Sequence, residues 1–139
     1  MQRKLVPDVV SVQEIVELPA KATVREAARA MKFQNVGSVL ITDQGRLEGI
    51  FTLQDLAYRV VAPGRDLDTT ALAQVMTAKP DTIAADATAL QALMTMQDGG
   101  YRHLPVMAGG RVVAVVSRRD FFGSEKAQLD DQTYLWERI

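Results

Sequence analysis

The clearest pattern in the sequence is an apolar stripe with helical spacing that occurs twice. In each copy the apolar residues follow one another at i, i+3, i+4 and i+7, which places them on one face of a helix. The first stripe is Val24, Ala27, Ala28 and Met31, and the second is Ala89, Ala92, Leu93 and Met96. A threonine precedes each stripe, and a Glu or Gln stands three residues after that threonine, as in a capping box. The sequence therefore predicts two amphipathic helices with N-caps at Thr23 and Thr88.

Two apolar strands follow each predicted helix and are joined by a turn that contains glycine. Glycine supplies the positive φ angle that a tight hairpin requires, here at 43–45 and 108–110. The strands are predicted at 36–42 and 47–51, and again at 104–107 and 112–116. Shorter strands are predicted before the two helices at 15–18 and 82–83, and second helices begin at Thr52 and Ser117. Each half is thus expected to run strand, helix, strand, hairpin, strand, helix.

The two halves are related by a shift of 65 positions without a gap. Identical residues coincide along the whole alignment, including the pairs Val10/Val75, Ala22/Ala87, Thr23/Thr88, Ala27/Ala92, Met31/Met96, Gly45/Gly110, Arg46/Arg111 and Asp55/Asp120. The series indicates an internal duplication. One half alone, at roughly 60 residues, would bury only about 60% of its unfolded surface. The halves are therefore expected to pack about a pseudo-twofold axis, with equivalent clefts between them and a Pro-Gly linker after the first.

Composition narrows the classes of function. The chain has 139 residues, of which 47% are hydrophobic, and 16 basic residues against 17 acidic ones give a net charge of −1. A disordered chain is therefore excluded, and no positive field favours nucleic acid as a partner. The sequence has no cysteine and one histidine, which excludes disulfides, thiol catalysis and multi-His metal sites. Neither a bilayer-length apolar run nor a signal peptide is present, so we expect a cytoplasmic protein without membrane contact.

Several segments make the chain resemble a tandem pair of cystathionine β-synthase (CBS) domains. The segments that carry the resemblance are Asn35–Ile41, Gly45–Leu56, Val75–Thr77, Tyr101–Val106, Gly110–Arg111 and Ser117–Phe121. The resemblance implies an α/β (α+β) fold of two CBS-type β-α-β-β-α repeats. The first repeat is assigned to 5–62, a linker to 63–70, the second repeat to 71–122 and a C-terminal tail to 123–139.

The resemblance also implies a regulatory module that binds an adenosine-containing ligand such as AMP, ADP, ATP, NAD or S-adenosylmethionine, with no required cofactor. The ribose-and-phosphate signature of the family maps to Thr52 and Asp55 in the first half and to Ser117 and Asp120 in the second. The positions that the family uses for adenine are Val36, Gly37, Ser38, Tyr101, Arg102 and His103. A carboxylate can accept hydrogen bonds from both ribose hydroxyls, and a hydroxyl at a helix start can reach a phosphate.

The two candidate sites are not equal. Arg118 and Arg119 lie between Ser117 and Asp120, whereas the equivalent residues Leu53 and Gln54 carry no charge. We therefore expect the second site to be the better one for a phosphorylated ligand. A competing interpretation treats each signature as a capping box that needs no ligand, and the two arginines as solvated surface residues. In the second half Ala114 also replaces the glycine that the family usually has there.

Other functions remain open at this point. His103 has no nucleophile or orienting acid at a suggestive spacing, so it is expected to line the site or pack beside Pro105, and no catalytic residue is predicted. Tyr101 can either stack on a base or pack half-buried.

The resemblance implies a homodimer formed through the helices and an unknown effector protein. The alternative is a structural dimerisation module that binds no nucleotide. The apolar tail residues Tyr134, Leu135, Trp136 and Ile139 are expected to fold back or to cover a neighbouring subunit.

Overall fold

The structure is a computed structural model that describes residues 3–12, 15–123 and 125–127. The chain divides into two compact units. The first-repeat unit is Ile15–Pro80, and the second-repeat unit combines Met1–Glu14 with Asp81–Ile139. The expectation for Tyr134, Leu135, Trp136 and Ile139 lies outside the described residues.

The first-repeat unit contains a four-stranded sheet and three helices. Its elements in chain order are β1 (Glu17–Leu18), α1 (Val24–Gln34), β2 (Ser38–Asp43), β3 (Arg46–Thr52), α2 (Leu53–Asp55), a π-helical continuation (Leu56–Val61), α3 (Leu72–Val75) and β4 (Thr77–Ala78). The strand order is β1-β2-β3-β4, in which only the β1–β2 pair is parallel. The core includes Phe51, Val60 and Leu72, all fully buried.

The second-repeat unit repeats this plan with a three-stranded sheet. It contains a π-helical turn (Leu5–Val9), β5 (Ile83–Ala84), α4 (Ala89–Gly99), β6 (His103–Ala108), β7 (Arg111–Ser117) and a 3-10 turn (Arg118–Asp120). The strand order is β5-β6-β7, with β5 and β6 parallel. Its core includes Leu5, Leu93 and Leu104.

The internal duplication is confirmed at the level of single residues. Thr23 and Thr88 cap α1 and α4 with complete capping boxes, as the sequence predicts. The helices end at left-handed residues that are equivalent in the repeat, Asn35 and Gly100. The hairpins even share an irregularity in register, between Ile41 and Thr42 in one and between Val106 and Met107 in the other. The predicted strands are confirmed to within two residues at each end.

The helix predicted from Ser117 differs from the expectation. It consists of one 3-10 turn, after which Phe121 adopts an extended conformation. The physical reason is burial, because Phe121 is only 5% exposed and its ring belongs to the core of the second-repeat unit. Helical structure resumes at residues 123 and 125–127.

Each unit includes a short helical segment that is distant in sequence from the residue before the long helix that it contacts. Leu5 donates its N–H to the Ala87 carbonyl at 2.9 Å, and Leu72 donates its N–H to the Ala22 carbonyl at 2.8 Å. Both leucines are fully buried. The two segments therefore play equivalent parts in the two units.

The helices are short. α1 and α4 have 11 residues each, and nowhere in the described ranges is there a helix with the length and apolar character needed to cross a bilayer.

Candidate functional site

In the first-repeat unit, strand pairing brings the predicted site residues to one end of the β2–β3 hairpin. Ser38 lies directly opposite Thr52 across the two strands. The Gly37 carbonyl accepts a hydrogen bond of 3.1 Å from the Leu53 N–H. We call this group the first hairpin site; it consists of Val36, Gly37, Ser38, Thr52, Gln54 and Asp55.

The second-repeat unit forms the equivalent group at the end of the β6–β7 hairpin. His103 lies opposite Ser117, and the Arg102 carbonyl accepts a hydrogen bond of 3.1 Å from the Arg118 N–H. We call this group the second hairpin site; it consists of Tyr101, Arg102, His103, Ser117, Arg118, Arg119 and Asp120. In both units the structure thus places two of the predicted adenine-side residues beside the signature residues, Gly37 and Ser38 in the first unit and Arg102 and His103 in the second.

The capping interpretation is observed directly at the first hairpin site. The Asp55 Oδ2 atom accepts hydrogen bonds from the Thr52 N–H at 2.9 Å and from the Thr52 hydroxyl at 3.1 Å. The Thr52 hydroxyl in turn accepts from the Asp55 N–H at 3.2 Å. The other carboxylate oxygen, Oδ1, lies 3.6 Å from the Arg59 Nε atom. Both oxygens of Asp55 therefore already have partners.

At the second hairpin site, the contacts among described residues use one carboxylate oxygen of Asp120. The Asp120 Oδ2 atom accepts from the Ser117 N–H at 2.7 Å and from the Ser117 hydroxyl at 3.3 Å. Within residues 3–12, 15–123 and 125–127, Asp120 Oδ1 makes neither a hydrogen bond nor an ion pair. Arg118 and Arg119 are exposed and form no ion pair with the same described residues.

Tyr101 is fixed in place by three contacts. Its hydroxyl donates a hydrogen bond to the Asp81 carboxylate, and burial together with this bond raises the pKa of Tyr101 to about 12. Its ring lies against the backbone of Gly99, where an added Cβ would be 2.0 Å from the ring. The ring also packs partly buried against the core of the second-repeat unit.

The difference between Gly49 and Ala114 has a packing cause. A Cβ on Gly49 would lie 2.5 Å from the Met76 Sδ atom and 3.0 Å from the Thr77 carbonyl oxygen, because β4 pairs with β3 at this point. The equivalent Ala114 is fully buried in the core of the second-repeat unit. The methyl group of Ala114 is therefore part of that core.

Two arginines near these sites were not found from the sequence. Arg59 contacts Asp55 as described, and the signal was available because the two residues are four apart on a predicted helix. Arg3 forms a bidentate ion pair with Glu125, Nε to Oε2 at 3.0 Å and Nη2 to Oε1 at 2.6 Å. It also donates to the Asp120 carbonyl at 3.5 Å and lies 3.6 Å above the Phe122 ring. No sequence pattern links residues so far apart in the chain.

The arrangement offers hydrogen-bond acceptors and cations. In the described part of the chain, no group of three or more His, Cys, Asp or Glu residues is placed to hold a metal ion. What both hairpin sites do present is a carboxylate held by a capping box, and in the second site two exposed arginines precede that aspartate in the same turn.

Comparison with known proteins assigns both halves of the chain to one family. The chain matches the CBS domain family over residues 6–62 and 72–125. It is 41% identical over 100 residues to the CBS domain-containing protein CBSCBSPB3 of Arabidopsis thaliana, a match that covers 71% of this chain. The match spans only 18% of that curated relative, so the relative is a much longer protein.

Two solved structures are similar over most of both chains. The CBS domain protein PAE2072 from Pyrobaculum aerophilum, complexed with AMP, has a TM-score of 0.75 at 26% identity and the match covers 86% of this chain and 93% of that one. The CBS-domain containing protein ATU1752 from Agrobacterium tumefaciens has a TM-score of 0.73 at 28% identity, with 84% and 90% covered. The duplicated hairpins, the two family matches and these relatives together show that the chain belongs to the CBS domain family and carries two CBS domains in tandem.

Proposed function

We propose that this protein is a regulatory module that binds an adenosine-containing ligand at the second hairpin site and catalyses no reaction. The observation that carries the proposal is the hydrogen bonding of the Asp120 carboxylate. Its capping box fixes the carboxylate through one oxygen and leaves the other, in the described structure, without a partner. A similar protein, PAE2072, has been solved in complex with AMP, which supports the choice of ligand class.

The chemistry of the second hairpin site matches the parts of such a ligand. A carboxylate accepts hydrogen bonds, so Asp120 suits the two hydroxyls of a ribose. Exposed guanidinium groups bind phosphate oxygens through charge-assisted hydrogen bonds, so Arg118 and Arg119 suit the phosphate. AMP, ADP, ATP and NAD offer both features, whereas S-adenosylmethionine offers the ribose alone.

Nucleotide-dependent thermal stability tests the proposal. At an AMP concentration one hundred times Kd, binding is expected to add about 2.7 kcal/mol to the free energy of unfolding. Asp120→Ala should abolish this stabilisation because the ribose loses its acceptor. The measurement is the melting temperature with and without AMP, followed by calorimetric titration.

Matched variants separate the roles of the residues. Asp55→Ala removes the equivalent carboxylate from the first hairpin site and should leave most of the stabilisation in place. Replacing Arg118 and Arg119 by glutamine should weaken the binding of AMP but leave the binding of adenosine unchanged. An AMP shift in Asp120→Ala as large as in the parent protein would remove Asp120 from the site and contradict the proposal.

We also propose that two copies of the chain associate through helices of the first-repeat unit. Phe33 on α1 is 86% exposed, and Tyr58 and Val61 after α2 are 68% and 63% exposed. Leu53, the first residue of α2, is also exposed, at 54%. An apolar face of this kind is typical of an interaction surface.

Replacing both Tyr58 and Val61 by glutamate is expected to convert a dimer into a monomer, because each interface would then bury four unpaired carboxylates. The molar mass measured by light scattering after gel filtration gives the result. The control is Val12→Glu, which changes an exposed valine of the second-repeat unit. A mass that stays that of a dimer in the double variant would exclude this face.

A second candidate function is a dimerisation module without a ligand. It is favoured by the capping boxes, which account for Thr52 with Asp55 and for Ser117 with Asp120 without any nucleotide. The AMP titration distinguishes the two candidate functions. A dimerisation module without a ligand forms the dimer, but AMP does not change its melting temperature. For either candidate we propose a cytoplasmic protein that acts on an effector protein.

A further inference from the structure

The two hairpin sites differ in the contacts of the second carboxylate oxygen of their aspartate. Arg59 approaches the free oxygen of Asp55, with its Nε atom 3.6 Å from Oδ1. The side chain of Asp55 is only 12% exposed, so its carboxylate has little other access to water. The equivalent carboxylate of Asp120 has no such cation in the described residues.

Arg59 is held in this position by the backbone of a neighbouring segment. Its Nη1 atom donates hydrogen bonds to the Val75 carbonyl at 3.3 Å and to the Met76 carbonyl at 3.0 Å. An isolated ion pair of a half-exposed arginine is easily displaced. Here, displacing the guanidinium would also break two charge-assisted hydrogen bonds, which makes the contact with Asp55 more persistent.

The duplication provides an internal comparison. The shift of 65 positions that aligns Thr52 with Ser117 and Asp55 with Asp120 aligns Arg59 with Ser124. The sequence therefore keeps the capping box in both halves and supplies the arginine in one half only.

We infer that Arg59 closes the first hairpin site to a ribose, by covering the carboxylate oxygen that the ribose hydroxyls would need. The chain then binds one adenosine-containing ligand where its duplication offers two sites. The inference rests on the proposed function in one respect, because it takes a carboxylate of this signature to be a ribose acceptor.

The test uses adenosine as the probe, because a neutral ligand is not affected by the loss of a positive charge. Asp120→Asn provides a background in which the second hairpin site is disabled. Into this background we place Arg59→Met, which keeps the aliphatic part of the side chain and removes the guanidinium. Calorimetric titration is expected to show a gain of adenosine affinity of about tenfold or more, with one ligand per chain.

Three further variants control the result. Arg65→Met removes an exposed arginine of the same unit that forms no ion pair in the described residues, and it should give no gain. Asp55→Asn added to Arg59→Met should cancel the gain, because the acceptor is lost. Arg59→Gln can still donate to the carbonyls and replaces Arg59→Met if the latter lowers the melting temperature strongly.

The outcomes distinguish this inference from the proposed function. If the parent protein binds one adenosine that Asp120→Asn removes, and neither Arg59 variant gains binding, the inference is wrong and the proposed function stands. If the parent binds no adenosine but the Arg59 variants do so through Asp55, the inference stands and the assignment of the second site is wrong. Two ligands per chain in the parent protein would also overturn the inference.

Discussion

Leu5→Ala is expected to lower the free energy of unfolding by about 3 kcal/mol, the usual cost of removing a leucine side chain from a well-packed core. Leu5 is fully buried among residues of the second-repeat unit, including Leu93 and Leu104. Backbone hydrogen bonds hold it there, from the Leu5 N–H to the Ala87 carbonyl at 2.9 Å and from the Ala89 N–H to the Arg3 carbonyl at 2.7 Å. The substitution would therefore leave a cavity that these bonds keep from collapsing.

Urea denaturation followed by circular dichroism measures this loss. The matched variant is Leu72→Ala, which removes the equivalent fully buried leucine from the first-repeat unit and should cost a similar amount. Val12→Ala, at a position that is 69% exposed, should change stability by less than about 0.5 kcal/mol. If Leu5→Ala were as mild as Val12→Ala, the N-terminal segment would not be part of the second-repeat core.

The parts of the fold that could be predicted are those whose information is local. The N-caps of α1 and α4 depend on a threonine and on the residue three positions later, and both helices begin where this pattern indicates. The hairpins depend on apolar runs around a glycine turn, and they form where this pattern predicts, with equivalent strand pairing in the two repeats. Burial of Leu5 beside Ala87 depends on residues far apart in the chain, which no local pattern reveals.

The break in the second helix of the second repeat has a similar origin. Ser117 and Asp120 form the capping contacts that predict a helix, but Phe121 leaves the helical conformation to bury its ring. The burial of the Phe121 ring in the core outweighs the local preference for a longer helix after Ser117. In the first repeat the equivalent residue, Leu56, stays helical, and the prediction from Thr52 is confirmed.

Some neighbours within the candidate sites could be predicted from the sequence, but the contacts of their carboxylates could not. Once the hairpins are known, cross-strand pairing places Ser38 beside Thr52 and His103 beside Ser117. Whether the second carboxylate oxygen has a partner depends on where a long side chain, that of Arg59, extends. Arg59 extends from its helix to the carbonyls of Val75 and Met76, a contact that residue spacing does not encode.

The ion pair between Arg3 and Glu125 is expected to contribute strongly to the stability of the second-repeat unit. The side chains are 21% and 12% exposed, so removing one partner leaves the other charge largely buried. Arg3→Met should therefore cost about 2 kcal/mol, within the range for hydrogen bonds to a charged group. Among the described residues, the Glu125 carboxylate would then retain only the hydrogen bond of 2.9 Å from the Phe122 N–H.

The pH dependence of this contribution has a definite sign. The hydrogen bond from Arg3 holds the pKa of Glu125 below its ordinary value of 4.5. A lowered pKa in the folded state stabilises the protein above that ordinary value, and the stabilisation is lost as the pH falls through the folded pKa. The difference in unfolding free energy between the parent and Glu125→Gln should thus be full at pH 7 and decrease below about pH 4.5.

A double-mutant cycle between Arg3→Met and Glu125→Gln isolates the pair from the contact of Arg3 with the Phe122 ring. The matched exposed pair is Arg25 with Asp68, whose side chains are 40% and 61% exposed. Solvent screens that pair, so the cycle of Arg25→Met with Asp68→Asn should give a much smaller coupling. Equal coupling energies in the two cycles would contradict this expectation, because they would mean that the burial of Glu125 adds nothing to its interaction with Arg3.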